Sequence, residues 1–75
     1  MASLPKVSGE QTIRALKRLG FVAVRQRGSH VILRKETEPG AVGCSVPLHK
    51  ELAVGTLRGI LKLAKVSTEE FLEKL

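Results

Sequence analysis

A histidine beside arginine and glycine is the feature of this sequence best suited to chemistry. Residues 25–30 read RQRGSH, so an imidazole directly follows a Gly-Ser pair that lies between two apolar-rich stretches. Such a pair predicts a two-residue hairpin turn, because glycine tolerates the positive φ of the first turn position. Arg27 then lies opposite His30. An imidazole that exchanges a proton near neutral pH beside a fixed positive charge suits binding and cleavage of a phosphodiester.

A purely structural role for His30 is the alternative, since a polar residue at the start of a strand needs no function. Ser29 does not extend the site into a nucleophilic triad. Neighbouring strand residues point to opposite faces, and the sequence offers no evident third, orienting acid. The seven acidic residues are all glutamates, six of them beyond residue 35, so paired-carboxylate chemistry is unsupported.

A second histidine and a single cysteine complete the set of candidate ligands and acids. His49 comes two residues after Pro47 and would lie at the same end of the sheet as His30, which permits an acid/base pair; the alternative is a solvated loop histidine. The spacing of His30, Cys44 and His49 matches no zinc pattern, so we expect neither a metal nor another cofactor. Cys44 is expected to be a small core residue.

Charge is concentrated in the half of the chain that holds His30. Residues 1–35 carry eight Lys or Arg against one Glu, whereas residues 36–75 carry five against six. This asymmetry favours an anionic partner such as nucleic acid, although basic residues also serve solubility. Two phenylalanines and no Trp or Tyr make recognition by aromatic base stacking improbable.

Length and hydropathy narrow the class of protein. A chain of 75 residues is expected to form one domain over residues 1–75, with a small core. The N-terminal residues lack the apolar stretch of a secretory signal, and no run approaches the roughly 18 apolar residues of a membrane span. With one cysteine there is no internal disulfide, so we expect a cytoplasmic protein that does not contact a membrane.

Three helices must frame the candidate site. A capping box at Ser8 and a stop at Gly20 bound the first helix. The second is predicted to start near Gly55 or Thr56, and a capping box at Ser67 begins a short third helix. Their apolar sides carry Ile13, Leu16 and Leu19, then Leu57, Ile60, Leu61 and Ala64, and finally Phe71, Leu72 and Leu75.

Three strands are predicted over residues 21–27, 30–35 and 42–47, which gives the order αβββαα. Phe21 is expected to precede the regular strand and fold back to the core. The fold class is therefore α+β, a three-stranded antiparallel sheet with helices on one face.

The register follows from the turn. Arg27 pairs with His30 and Arg25 with Ile32, and pairing Lys35 with Val42 brings His30 near Pro47. Alternation then assigns an apolar face of Val22, Val24, Val31, Leu33, Val42, Cys44 and Val46. The open face carries Ala23, Arg25, Arg27, His30, Ile32, Arg34, Gly43 and Ser45.

The sequence also resembles a known family along nearly its whole length. The segments LGF at 19–21, RQRGSH at 25–30, VPLH at 46–49 and GTLR at 55–58 follow one another as in HicA-like (YcfA-like) toxins. The resemblance implies a double-stranded-RNA-binding-domain-like fold, messenger RNA cleavage that blocks translation, and a HicB antitoxin. It also implies that His30 is the catalytic histidine. Some members carry a second histidine directly after the first, where this chain has Val31.

Three functional hypotheses follow. In the first, the chain is the toxin of a type II toxin–antitoxin system and a metal-independent endoribonuclease, with His30 as general acid/base and His49 as an auxiliary group. In the second, the same basic face makes it a non-catalytic RNA-binding module. In the third, that face docks an acidic protein and has no affinity for RNA. Under the first two hypotheses, the residues expected to contact single-stranded messenger RNA are Arg25, Arg27, Gly28, Ser29 and Arg34.

Overall fold

The computed structural model describes residues 3–75 and has the predicted order αβββαα. The helices are α1 (Gly9–Arg18), α2 (Val54–Ala64) and α3 (Thr68–Lys74), and the strands are β1 (Val22–Arg27), β2 (His30–Lys35) and β3 (Val42–Pro47). The strands form one antiparallel sheet in the order β1-β2-β3. The α+β class is thus confirmed, and the architecture is consistent with a double-stranded-RNA-binding-domain-like fold. Met1 and Ala2, part of the expected 1–75 domain, lie outside the described residues.

Side-chain and backbone caps set both ends of α1. Ser8 Oγ accepts a hydrogen bond from the Gln11 amide at 3.0 Å, and Gln11 Oε1 accepts one from the Ser8 amide at 2.9 Å. At the other end Gly20 has a φ of 102°, and the Phe21 amide donates to the Leu16 carbonyl at 3.0 Å. This glycine-based stop turns the chain back, so Phe21 is buried, as expected, before β1 begins.

The two C-terminal helices differ slightly from their predictions. α2 begins at Val54, just before the expected start, and no side chain caps it. A capping box between Ser67 and Glu70 begins α3, as predicted. In α3, Phe71 is fully buried, but Leu75 is 43% exposed because it lies at the end of the last turn, so its assignment to the apolar side was wrong.

The core is a single layer between the helices and the inner side of β2 and β3. Val31, Leu33, Cys44 and Val46 supply the sheet side, as predicted, and Val42 packs partly buried against them. The helices supply the other side, chiefly Ile13, Ala15, Leu16, Leu57, Ile60, Leu61, Ala64 and Phe71. No helix among residues 3–75 is long and apolar enough to cross a membrane.

The predicted strand register is confirmed at the positions that matter for His30. Arg27 pairs with His30 and Arg25 with Ile32 across β1 and β2. Across β2 and β3, Lys35 pairs with Val42 and His30 with Pro47. Residues paired in this way project to the same face of a sheet, so the arginines of β1 share the face of His30.

The first three residues of β1 do not face the sides that strict alternation predicts. Val22 and Val24, expected in the core, are 61% and 56% exposed. The pairing shifts between Ala23 and Arg25, which leaves Val24 as the extra residue of a β-bulge. Ala23 therefore lies opposite Leu33 on the inner side, not on the open face, while Val22 lies opposite Arg34.

The helix layer does not extend over this edge strand. The helices pack chiefly on β3 and on one another, and every residue of β1 is exposed. Neither face of β1 is therefore covered by a helix, so Val22 and Val24 bury little apolar area.

Truncating Leu33 and Val24 tests this difference between neighbouring strands. Leu33→Ala is expected to lower the free energy of unfolding by about 2–5 kcal/mol, because it leaves a cavity under the helices. Val24→Ala should change it by no more than about 0.5 kcal/mol, as for other exposed sites. Urea denaturation measures both; a loss of similar size in the two variants would place Val24 in the core after all.

Candidate active site

His30 is the first residue of β2 and stands directly after the hairpin turn. Gly28 adopts a left-handed φ of 59°, the conformation for which its lack of a side chain suits it. Two residues, Gly28 and Ser29, connect the strands, so Arg27 and His30 are opposed in the sheet. Both side chains are exposed. The turn thus places an accessible imidazole next to an accessible guanidinium.

The residues of the open face lie in three rows across the sheet. Its residues are, row by row across β1, β2 and β3, Arg27, His30 and Pro47; then Arg25, Ile32 and Ser45; then Val22, Arg34 and Gly43. Pro47 is buried and Ile32 is half-buried, while the others are exposed. Successive rows lie about 7 Å apart along a strand, and neighbouring strands lie about 5 Å apart. Arg27 and Arg25 of β1 therefore lie beside His30 and Ile32 of β2. Arg34 lies two rows from His30 along β2.

Hydrogen bonds fix the turn on both sides. Gln26 Nε2 donates to the Gly28 carbonyl at 3.1 Å, and the Leu48 amide donates to the Ser29 carbonyl at 2.7 Å. The second bond extends the β2–β3 pairing by one residue beyond His30. Gln26 was missed by sequence reasoning; its only local signal is its place two residues before the turn glycine. These bonds reduce the freedom of the backbone that carries the imidazole.

His49 lies in the loop after β3, at the same end of the sheet as the turn. Its carbonyl accepts a hydrogen bond from the Gly9 amide at 2.9 Å, so the loop backbone is attached to the start of α1. Its exposed side chain lines a hollow with Ser8, Glu10, Leu48 and Lys50, which His30 does not share. Within residues 3–75 no hydrogen bond joins the two imidazoles. The sheet pairs His30 with Arg27, whereas His49 follows β3 in the loop before α2.

Arg34 has a carboxylate partner on the open face. Its Nε lies 2.8 Å from Oε2 of Glu36, and both side chains are largely exposed. An exposed pair of this kind contributes at most about 1 kcal/mol, so a phosphate or a base can compete for the guanidinium. The pair leaves the two terminal nitrogens of Arg34 available as donors.

The residues considered as metal ligands lie apart. Across residues 3–75 there is no group of three or more His, Cys, Asp or Glu side chains placed to hold a metal ion. Cys44 is buried on the inner side of the sheet, opposite Leu33, while His30 is exposed on the open face. Burial raises the pKa of the Cys44 thiol to about 11, which keeps it protonated and unreactive near neutral pH.

A protein-family model matches most of the chain. The family model described as HicA toxin of bacterial toxin-antitoxin matches residues 9–66. This range includes α1, the whole sheet and α2, and it is more than half of the chain.

The chain belongs to the HicA toxin family. No curated protein matches it in a direct sequence comparison. In this HicA-family chain, the matched range includes His30 and its neighbouring arginines as well as His49 and the glycine to which the His49 loop is attached.

Gly9 allows the start of α1 to approach the loop that carries His49. A Cβ at this position would overlap the Pro47 carbonyl oxygen and would come within 3.0 Å of the Leu48 Cα. Real Cβ atoms almost never come that close to backbone, so either α1 or the loop would have to move. In this HicA-family protein, Gly9 therefore allows α1 to pack directly against the loop that carries His49.

Replacing this glycine should be costly, in contrast to a glycine with free space. Gly9→Ala is expected to lower the free energy of unfolding by about 1–3 kcal/mol through overpacking and to shift the amide resonances of the 47–49 loop. Gly59→Ala is the matched control, since nothing lies within 4 Å of its added Cβ in the middle of α2. That change should stabilise the helix by about 0.5–1 kcal/mol. Equal stabilities for the two variants would show that the close approach is absent.

Proposed function

We propose that this chain is the toxin of a type II toxin–antitoxin system and acts as a metal-independent endoribonuclease on messenger RNA, blocking translation. The observation that supports the proposal most is the exposed His30 on an open, arginine-bearing sheet face, directly paired with Arg27. Membership of a toxin family supplies the biological setting.

The chemistry starts from the ribose of the RNA strand. The His30 imidazole removes the proton of a 2′-hydroxyl, and the freed oxygen attacks the adjacent phosphorus. The bond from phosphorus to the 5′-oxygen breaks, which leaves a 2′,3′-cyclic phosphate on one product and a 5′-hydroxyl on the other. The departing oxygen takes up a proton, for which His49 is the second imidazole at this end of the sheet. No metal takes part in these steps.

Arginines stabilise the charge that develops in this reaction. Arg27 is paired with His30, which supports a role in binding the phosphate under attack. In this proposal Arg25 and Arg34 bind the neighbouring phosphates along the strand. Backbone groups of Gly28 and Ser29 lie beside the reacting phosphate at the turn. Stacking of bases on aromatic rings has no part in this proposal, because both phenylalanines, Phe21 and Phe71, are buried.

Replacing His30 is the decisive test of catalysis. His30→Ala or His30→Gln should lower the rate of cleavage of long single-stranded RNA by about 10²–10⁴, the usual contribution of a positioned acid/base, and should leave RNA affinity nearly unchanged. Gel analysis of the products should show cyclic phosphate ends, with no effect of EDTA and no cleavage of DNA. Cleavage that needs a metal, or that cuts DNA at an equal rate, contradicts the 2′-hydroxyl mechanism.

Arg27→Ala provides the contrasting variant. It should weaken RNA binding and reduce the slope of log affinity against log salt by about 0.7–1, because one phosphate contact is lost. A slope unchanged in Arg25→Ala, Arg27→Ala and Arg34→Ala alike would remove this face from the RNA interface.

A non-catalytic RNA-binding module is the second candidate. The observation that favours it is that His49 lines a hollow to which His30 does not contribute, and no hydrogen bond joins the two imidazoles among residues 3–75. Under this alternative the wild-type protein binds RNA without cutting it, and His30→Ala has no activity to remove. The same cleavage assay therefore separates the two functions.

We further propose that a HicB-like antitoxin inhibits the toxin by covering the open face. An acidic partner would be attracted to the basic half of the chain, and a complex there would hide the imidazole and the arginines together.

Charge reversal distinguishes this surface from the acidic C-terminal helix. Arg25→Glu and Arg27→Glu should weaken binding of purified antitoxin and slow its association at low salt, because they reverse the steering charge. Glu69→Lys and Glu73→Lys, exposed on α3, are the controls and should have little effect. Surface plasmon resonance measures both rates. Strong weakening by the α3 changes alone would place the antitoxin away from His30.

A further inference from the structure

A hollow of about 340 Å³ lies on the open face, beyond the His30 row. Its apolar lining includes Ile32 and the bulged Val24, and the guanidinium-bearing residues Arg25 and Arg34 lie at its sides. Gly43 is opposite Arg34 on β3 and has no side chain, which leaves the third side open. The hollow is therefore an apolar depression bordered by the positively charged guanidinium groups of Arg25 and Arg34, which can donate hydrogen bonds.

We propose that this hollow binds one nucleobase, that of the nucleotide next to the phosphate cleaved at His30, and so sets the sequence preference of cleavage. The inference rests on the proposed function for the identity of the reacting phosphate. A nucleobase fits the chemistry of the hollow, because it has two apolar faces and a polar edge. Arginine planes and aliphatic side chains can hold such a ring where aromatic residues are lacking.

The position of the hollow along β2 supports this assignment. Ile32 is two residues after His30 on the same face, which is a separation of about 7 Å. This is comparable to the spacing of successive phosphates in an extended RNA strand. A strand that follows β2 with one phosphate at His30 therefore brings its next base over Ile32 and its next phosphate towards Arg25 or Arg34.

The rim of the hollow also offers a means of selecting the base. Arg25 and Arg34 are donors only, whereas the Glu36 carboxylate held by Arg34 is an acceptor. A base whose edge presents acceptors can receive hydrogen bonds from Arg25 and Arg34. A base whose edge presents amino groups cannot, and it leaves the guanidinium donors unpaired. Because the hollow is a single depression, the preference should fall on one nucleotide beside the cut.

Filling the hollow is the first part of the test. Gly43→Val places two methyl groups in it, and the Cβ contacts only the Leu33 carbonyl oxygen, at 3.1 Å. Sequencing of the ends cut from a randomised RNA pool should show one preferred base beside the wild-type cut. In Gly43→Val that preference should disappear and kcat/KM should fall by at least about tenfold. Circular dichroism confirms that the variant is folded.

Two matched valine truncations keep the test valid even if Gly43→Val does not fold. Val24→Ala removes lining from the hollow and should lower kcat/KM by about three- to tenfold. Val22→Ala is the same change on the same exposed strand but does not line the hollow, so it should leave kcat/KM and the base preference unchanged. Equal effects of the two truncations would overturn the proposal.

Binding of short 2′-deoxy oligonucleotides, which cannot be cleaved by the 2′-hydroxyl route, separates this inference from the proposed function. Amide shifts at Ile32 and Gly43 that depend on a single base would support the base site even if wild-type protein cuts no RNA. RNA cleavage with an unchanged preference in Gly43→Val would overturn the base site and leave the ribonuclease standing. Shifts at these amides with an acidic peptide and none with oligonucleotide would overturn it in favour of a protein partner.

Discussion

The structure depends on a core that is only one layer deep and two strands wide. With 75 residues, the helices cover the inner side of β2 and β3, where Val31, Leu33, Cys44 and Val46 are buried, and do not cover β1. Burial of apolar area is the main stabilising contribution to folding, so these two strands account for most of what the sheet contributes. The remaining strand and most of the outer face are left exposed. A small core thus creates the exposed basic surface on which the proposed chemistry takes place.

The register of the sheet connects this core to the site. A shift of one residue between β2 and β3 would move Leu33 into solvent, so burial fixes which residues of β2 face outwards. His30 and Arg34 consequently share the outer side with Ile32. The two-residue turn then transfers the same register to β1 and brings Arg27 opposite His30. The relative placement of imidazole and guanidinium is therefore a result of core packing rather than of any direct bond between them.

Much of this arrangement could be predicted from the sequence. The Gly-Ser turn, the period of two in β2 and β3 and the capping boxes at Ser8 and Ser67 are local patterns, and each determines its element directly. The bulge at Val24 has no such pattern: the residue is apolar and β-branched, and alternation alone assigns it to the core. The contributions of Gly9 and Gln26 to the site were not predicted either. Gly9 acts through a contact with the distant 47–49 loop, and Gln26 through a side-chain hydrogen bond to the turn. Cleavage, the role of His49 and the RNA sequence that is cut all depend on how RNA binds, which a pattern within the chain does not determine.

The uncovered strand β1 has a consequence for the behaviour of the protein at high concentration. An edge strand with free backbone donors and acceptors and two exposed valines is a template for pairing with the same strand of another copy. The bulge distorts that edge, and Arg25 and Arg27 on each copy would repel one another across a newly formed pair. The arginines that we propose to bind phosphate therefore also protect the protein from aggregation. A substitution that neutralises them would reduce solubility as well as the proposed RNA binding, so the two effects must be measured separately in such a variant.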